Sequence, residues 1–261
     1  MVVSDARRDE PVHDDAARRV IWHELECGSY TADLALWREL AAAAGGGSHA
    51  GAQILDVGSG SGRVALELAR AGHAVTALDI DGALLDALAR RAPAGTVATV
   101  CADARGFALE RREFSLCVVP MQTIQLLGGA DGRLAFLRRA RTHLRPGALL
   151  ACAIVTALEP FDCTAGGPAP SPESARVDGV AYVSRALRVA VGPRSVLIER
   201  ERSVHHGARA PERERDVIEL DRVSAARLRR EGRAAGLTPA PTRTIAATDE
   251  HVGSVVVMFR A

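Results

Sequence analysis

Residues 54–62 read Ile-Leu-Asp-Val-Gly-Ser-Gly-Ser-Gly. An apolar run reaches an acid, Asp56, then three glycines follow at alternate positions (Gly58, Gly60, Gly62) and a helical pattern opens at Arg63. The pattern describes a buried strand entering a turn whose backbone approaches something more closely than a Cβ allows. Open α/β sheets bind their ligands at such carboxyl ends of strands. A dinucleotide fingerprint, G-x-G-x-x-G, needs its third glycine where Arg63 stands, which disfavours an NAD-dependent dehydrogenase. An acid pointing into a glycine turn suits a cationic ligand better than a pyrophosphate.

Outward from this turn, strands and helices alternate. The first strand spans 53–57, and a helix from Arg63 to Ala71 ends at Gly72, a C-cap glycine. A second strand, 74–80, contains Asp79, and Asp81 is placed to cap the helix 82–91. Strands at 97–101 and 114–119 precede Asp103 and Pro120. A helix at 131–144 is stopped by Arg-Pro-Gly at 145–147, before a fifth strand at 148–155. Strand–helix alternation of this length implies right-handed parallel crossovers. Residues 156–179, rich in Pro, Gly and Ala, read as an irregular loop. Three extended segments follow (180–191, 196–206, 215–223) in which charges alternate with Val, Ile and Leu, as in an antiparallel sheet with one wet face. A helix at 224–235 and strands near 241–247 and 253–259 resume the core pattern.

The expected fold is therefore α/β: a doubly wound, Rossmann-like seven-stranded sheet, with an antiparallel three-stranded insertion between the fifth core strand and the last helix. Residues 1–50 form an N-terminal helical cap segment. Residues 51–156 and 224–261 form the core, and 157–223 the loop and insertion. Within the cap, 1–16 read as frayed and 17–44 as two helices, the second with an apolar stripe at Leu34, Leu36, Trp37 and Leu40.

At 261 residues with 48% hydrophobic content, the chain can build one α/β domain with an appendage. The formal charge of +1 argues against a dedicated nucleic-acid protein. All 33 basic residues are arginine, so no lysine serves as a base or Schiff-base amine. The arginine-dense segments 138–145 and 227–233 read as solvated helix faces, since aromatics for base stacking are nearly absent there. Five cysteines, odd in number and without C-x-x-C spacing, suggest a reducing cytoplasm, no disulfide and no metal. No apolar run approaches the ~20 residues of a membrane span.

The stretch from Asp56 to Gly62 resembles the first motif, (D/E)-x-G-x-G-x-G, of class I S-adenosylmethionine-dependent methyltransferases. The resemblance extends from about Ile54 to Val155. It implies S-adenosylmethionine as cofactor, with Asp56 orienting its amino end and Gly58, Ser59, Gly60 and Gly62 lying along its methionine and ribose. Asp79, 21 positions after Gly58, is implied to accept from the ribose hydroxyls, with Ile80 on the adenine face. Asp103 is implied to meet the adenine amino group and the Ala104 amide a ring nitrogen. Pro120 borders the sulfonium.

The acceptor side is less determined. Met121, Gln122 and Gln125 follow the fourth strand, where neither an acidic metal triad nor a proline-proline-aromatic clamp is present. Candidate catalytic residues are Tyr30 and His23 in the cap and His205 and His206 in the insertion. Alternation sends the last two to opposite faces. The expected function is methyl transfer to a nitrogen or oxygen of a small molecule, mainly by in-line positioning. The alternative is a non-catalytic S-adenosylmethionine-binding protein. No membrane or nucleic-acid partner is expected, and the insertion is expected to act as a lid or as the platform of a homodimer.

Overall fold

In the computed structural model, which describes residues 13–46, 51–110, 113–249 and 251–261, the strand feeding the glycine turn, β1 (Gln53–Val57), lies at the centre of a seven-stranded sheet. Ile54 through Val57 are all buried, because helices cover both faces here, and this accounts for the unbroken apolar run. β2 (Ala74–Asp79), β3 (Val97–Cys101), β4 (Phe114–Val119) and β5 (Leu144–Ile154) run parallel to it. β12 (Ser254–Arg260) adds antiparallel to β5, and β11 (Thr238–Ile245) antiparallel to β12. The order is β3-β2-β1-β4-β5-β12-β11. Residues 1–12 of the segment read as frayed, and residues 47–50, lie outside the described residues.

One face of the sheet packs on α2 (Leu34–Gly45), α3 (Arg63–Arg70) and α4 (Gly82–Arg91), through Trp37, Leu68 and Leu88 against Ile54 and Leu116. The other packs on α5 (Gly129–His143) and α6 (Ala225–Ala234), through Phe136 and Leu228 against Phe114 and Phe259. The capping signals act as expected. Asp81 accepts from the Ala83 N–H at 2.9 Å. Gly72, at φ 89°, follows α3, and the Gly72 and His73 amides return to Ala69 and Leu68 carbonyls.

β5 begins at Leu144, earlier than the Arg-Pro-Gly stop implies. Leu144 pairs with Phe114, and a register shift before Leu116 accommodates Arg145, Pro146 and Gly147.

The insertion forms a second, antiparallel sheet. Its three long strands are β8 (Val180–Val191), β9 (Ser195–His205) and β10 (Glu212–Asp221). Two short strands, β6 (Phe161–Asp162) and β7 (Glu173–Val177), also pair with β8. They lie inside 156–179, where flanking Pro and Gly and such short lengths leave no alternation to read. Ahead of the core, α1 (Asp15–His23) runs into a π-helical turn, Glu24–Gly28. Among the described residues no helix is long and apolar enough to cross a membrane, and no group of His, Cys, Asp or Glu is arranged to hold a metal. All five cysteines are free thiols.

Candidate functional site

The chain leaves β1 through Gly58, Gly60 and Gly62 at φ 71°, 53° and 99°, conformations that cost an L-residue roughly 1–2 kcal/mol. The turn is pinned to the end of β2, where the Gly58 and Ser59 amides donate to the Leu78 carbonyl at 2.8 and 3.2 Å. Asp79, one residue on, accepts from the Gly60 N–H at 2.7 Å through Oδ2 and from the Asp81 N–H at 3.0 Å through Oδ1. The spacing read from sequence therefore brings Asp79 onto the glycine turn, because one βαβ unit returns the next strand end beside the first. Ile80 is 71% exposed next to it. Asp103 follows β3, its carboxylate held by Arg105 through both oxygens at 2.5–2.9 Å. Those hydrogen bonds keep the Asp103 carboxyl below its ordinary value. Ala104 beside it is buried.

Asp56 is fully buried, and neither carboxylate oxygen has a hydrogen-bond partner among the described residues. The Ser59 hydroxyl is also buried without one. Burial pushes the Asp56 carboxyl up to about 7, with Arg63 opposing and Asp79 and Asp33 adding. A buried acid left this way costs stability unless a donor or cation completes it. The residues of the turn thus fit a ligand bearing an ammonium group and hydroxyls.

Each glycine is also approached by a side chain. A Cβ on Gly58 would overlap Thr123, on Gly60 the His23 ring, and on Gly62 the Leu88 side chain. Thr123 opens a 3₁₀ turn, Thr123–Leu126, directly after β4. Pro120 is buried there, and Met121 has φ 54°, an outlier for a non-glycine residue of the kind that clusters at functional sites. Gln122 is half-buried. Gln125, expected to line the site, is instead buried and occupied: its amide donates to the Val155 and Asp221 carbonyls at 3.2 and 2.9 Å and accepts from the Val155 N–H at 2.7 Å. It ties β5 to β10, because both strand ends carry backbone groups that need partners.

The cap sits on the turn. His23 Nδ1 is 2.9 Å from Ser61 Oγ, and burial lowers the imidazole's basicity. Glu24 pairs with Arg91 at 2.9 Å, and Arg91 in turn donates to the Ser61 carbonyl. On its other side the cap is fastened to the second sheet. Glu26, with only 4% of its side chain exposed, takes Arg202 at 2.8 and 2.7 Å, Ser184 at 2.8 Å and Arg200 at 2.9 Å. Burial works to raise the Glu26 carboxyl, but the Arg202 hydrogen bonds and the fields of Arg200 and Arg202 outweigh it and hold the group below its ordinary value.

Tyr30 packs between the Arg63 guanidinium, 5.1 Å from its centroid, and the His251 ring at 4.9 Å. Arg63 is itself locked by Asp33 at 2.5 and 2.8 Å and the Tyr30 carbonyl at 2.8 Å. The structure thus brings Tyr30 and His23 to the start of α3. His205 and His206 are not brought there. The His205 ring, 3.0 Å from Ser203 Oγ, lines a groove of about 270 Å³ with Arg185 and Arg213 on the outward face of the second sheet. His206 lies past the end of β9, 3.5 Å from Glu212. Alternation separated them correctly, but neither direction leads to the glycine turn. Arg91 and the Glu26 partners went unnoticed in the sequence, since an arginine in a last helical turn reads as solvated.

The family model described as a methyltransferase domain matches residues 54–147. No curated protein matches the chain. Among solved structures, an amino pentose methyltransferase of calicheamicin biosynthesis from Micromonospora echinaspora, bound to S-adenosylmethionine, superposes with a TM-score of 0.69 at 20% identity over 97% of this chain and 99% of that one. A sugar N-methyltransferase from Streptoalloteichus gives 0.70 at 18% identity, covering 100% and 99%. A glycopeptide N-methyltransferase complexed with S-adenosylmethionine gives 0.55 at 21%, covering 96% and 99%. The glycine turn, its acid and the seven-stranded order accompany that match: residues 54–147 match a methyltransferase domain, and the chain as a whole shares the fold of these solved methyltransferases.

Proposed function

We propose that this enzyme methylates a nitrogen or oxygen atom of a small, sugar-like molecule. One observation carries the reading: Asp56, buried and unpartnered, lies in a glycine turn that Asp79 also holds. In this reading Asp56 takes the ammonium of S-adenosylmethionine, Asp79 its ribose hydroxyls, and Ile80 the adenine face. Asp103 swings from Arg105 to the adenine amino group beside the Ala104 amide. Pro120 and Met121 border the sulfonium. The bound cofactor supplies an electrophilic methyl group, so the protein's task is chiefly to align the acceptor, worth roughly 7–11 kcal/mol of barrier. The cap, fixed to the turn by His23 and to the second sheet by Glu26, closes the site from water.

The small acceptor is supported by that cover and by neighbours whose names specify sugar and glycopeptide N-methylation and whose length this chain matches. Calorimetric titration with S-adenosylmethionine and its demethylated product tests the reading first. Labelled-methyl transfer to amino and hydroxyl sugars tests it second. A folded protein that binds neither cofactor form would overturn it.

A further inference from the structure

The cap and the second sheet share one apolar cluster. Ile21, Trp22 and Leu25 pack with Val180, Tyr182 and Val204, and the Trp22 and Tyr182 rings meet edge-on at 5.0 Å. Although α1 runs beside α4, no described side chain of the cap enters the cluster that Leu85 and Leu88 of α4 build with the parallel sheet. The charged contacts divide the same way. Toward the second sheet, Glu26 keeps only 4% of its side chain exposed between Arg200 and Arg202. Toward the core, Arg19 reaches Asp81 at 3.1 Å and Glu24 reaches Arg91 at 2.9 Å, and the two arginines are 55% and 41% exposed. Breaking a buried arrangement is costly, whereas exposed pairs hold weakly and are screened by salt. The cap therefore parts from the core before it parts from the sheet.

The chain connections place the pivots. The cap ends in the π-helical turn Glu24–Gly28, an interruption that recurs at functional sites. From Tyr30 onward the chain belongs to the core, where the fully buried Asp33 holds Arg63 and Trp37. Only Ser29 separates the turn from that anchor. The second sheet joins the core through residues 155–160 and 222–224, neither of which has regular structure. Both start from one corner, where Gln125 holds Val155 and Asp221 and the buried Arg133 ties Asp221 to Glu231. Moving bodies turn on a few loop or element-terminal residues of this kind.

We propose that the cap and the second sheet swing from the core as one body, about Gly28–Ser29 and the Asp221 corner, and that this movement admits and releases the cofactor. Opening parts Arg19 from Asp81, Glu24 from Arg91 and His23 from Ser61, and leaves Glu26 on its arginines. All three contacts lie at the glycine turn, since Asp81 is hydrogen-bonded to Asp79 and Arg91 donates to the Ser61 carbonyl. That the uncovered turn holds S-adenosylmethionine rests on the methyl-transfer reading above. A ligand that passes only through the open form enters and leaves faster by the same factor when opening is eased, and its affinity is unchanged.

The test compares the full chain with an Arg19→Gln, Glu24→Gln double variant in about 0.1 M and about 1 M KCl, a change that shortens the screening length from about 10 Å to about 3 Å. Stopped-flow binding of the demethylated cofactor should show association and dissociation both about three- to tenfold faster in the double variant, as expected for two exposed ion pairs. Kd should be unchanged and the response to salt largely lost. In the cofactor-free protein, His23 should react with diethyl pyrocarbonate faster by the same factor, read by mass spectrometry, while the α1 amides exchange hydrogen no faster. Unaltered rates, faster dissociation alone, or faster exchange throughout α1 overturns the inference, the last because the cap would then be coming off by itself. A faster His23 reaction in a protein that binds neither cofactor form leaves the movement standing and counts against the methyl-transfer reading.

Discussion

The His23 imidazole rests on Gly60: its Nδ1 lies 2.9 Å from Ser61 Oγ, and a methyl group on Gly60 would overlap the ring. The cap is thus seated on the part of the turn whose backbone has left the region open to other residues.

Gly60→Ala should fail for two separable reasons. The φ of 53° costs alanine about 1–2 kcal/mol, and the new methyl displaces His23. Cofactor affinity should fall at least about tenfold in a protein with native circular dichroism. Adding His23→Ala relieves the overlap but not the backbone strain, so thermal stability should recover only in part. Wild-type affinity in Gly60→Ala would show that the turn does not touch the cofactor.

Asp79→Asn keeps the shape of the side chain and removes the charge that accepts from Gly60 and Asp81. Hydrogen bonds to charged groups contribute about 1.5–3 kcal/mol, so calorimetry should show cofactor affinity reduced about 10- to 100-fold. The fold should survive, since the hydrophobic core on both faces of the sheet is untouched.

Asp56 predicts a pH dependence with a definite sign. Its folded-state carboxyl rises from 3.8 to about 7. The stability it contributes is therefore full below pH ~4 and lost as pH climbs through about 7, a span of about 4 kcal/mol. Urea titrations of the free protein at several pH values should show this slope, and Asp56→Asn should flatten it. An ammonium group beside Asp56 favours the ionised form, so cofactor binding near pH 6 should release a proton, measurable as a buffer-dependent calorimetric heat. Binding heats that are independent of buffer would remove Asp56 from the ammonium.

Glu26→Ala leaves Arg200 and Arg202 without their shared carboxylate. Breaking such a buried arrangement costs about 3–5 kcal/mol, somewhat less here because both arginines are about one-fifth exposed. The loss should appear as faster hydrogen exchange across α1 and the π-helical turn, with the core strands protected as before. The carboxyl is held below its ordinary value, so its stabilising contribution is present above pH ~4.5 and disappears on further acidification.

The parallel core was legible because each of its strands is buried on both faces and ends in a turn or cap residue. Asp81 and Gly72 marked helix ends by their chemistry, and the step from Gly58 to Asp79 is set by the length of one βαβ unit. β6 and β7 were not legible, being too short to show a period. Gln125 followed the right strand, yet it went to backbone groups of β5 and β10 that no local pattern announces. His205 and His206 were separated by alternation, but which face looks at the site depends on how the second sheet docks.

Residues 54–62, with Asp79 in register, determined the fold class and the place proposed for the methyl donor, because those depend on local backbone geometry and on one repeating unit. The tertiary structure alone decided how the site is covered and what is left open. Glu26 meets Arg200 and Arg202, about 175 residues away in the chain, and so fastens the cap to the second sheet. Ion pairs of that sequence separation are set by the packing of two sheets and a cap, and a linear pattern carries no trace of them.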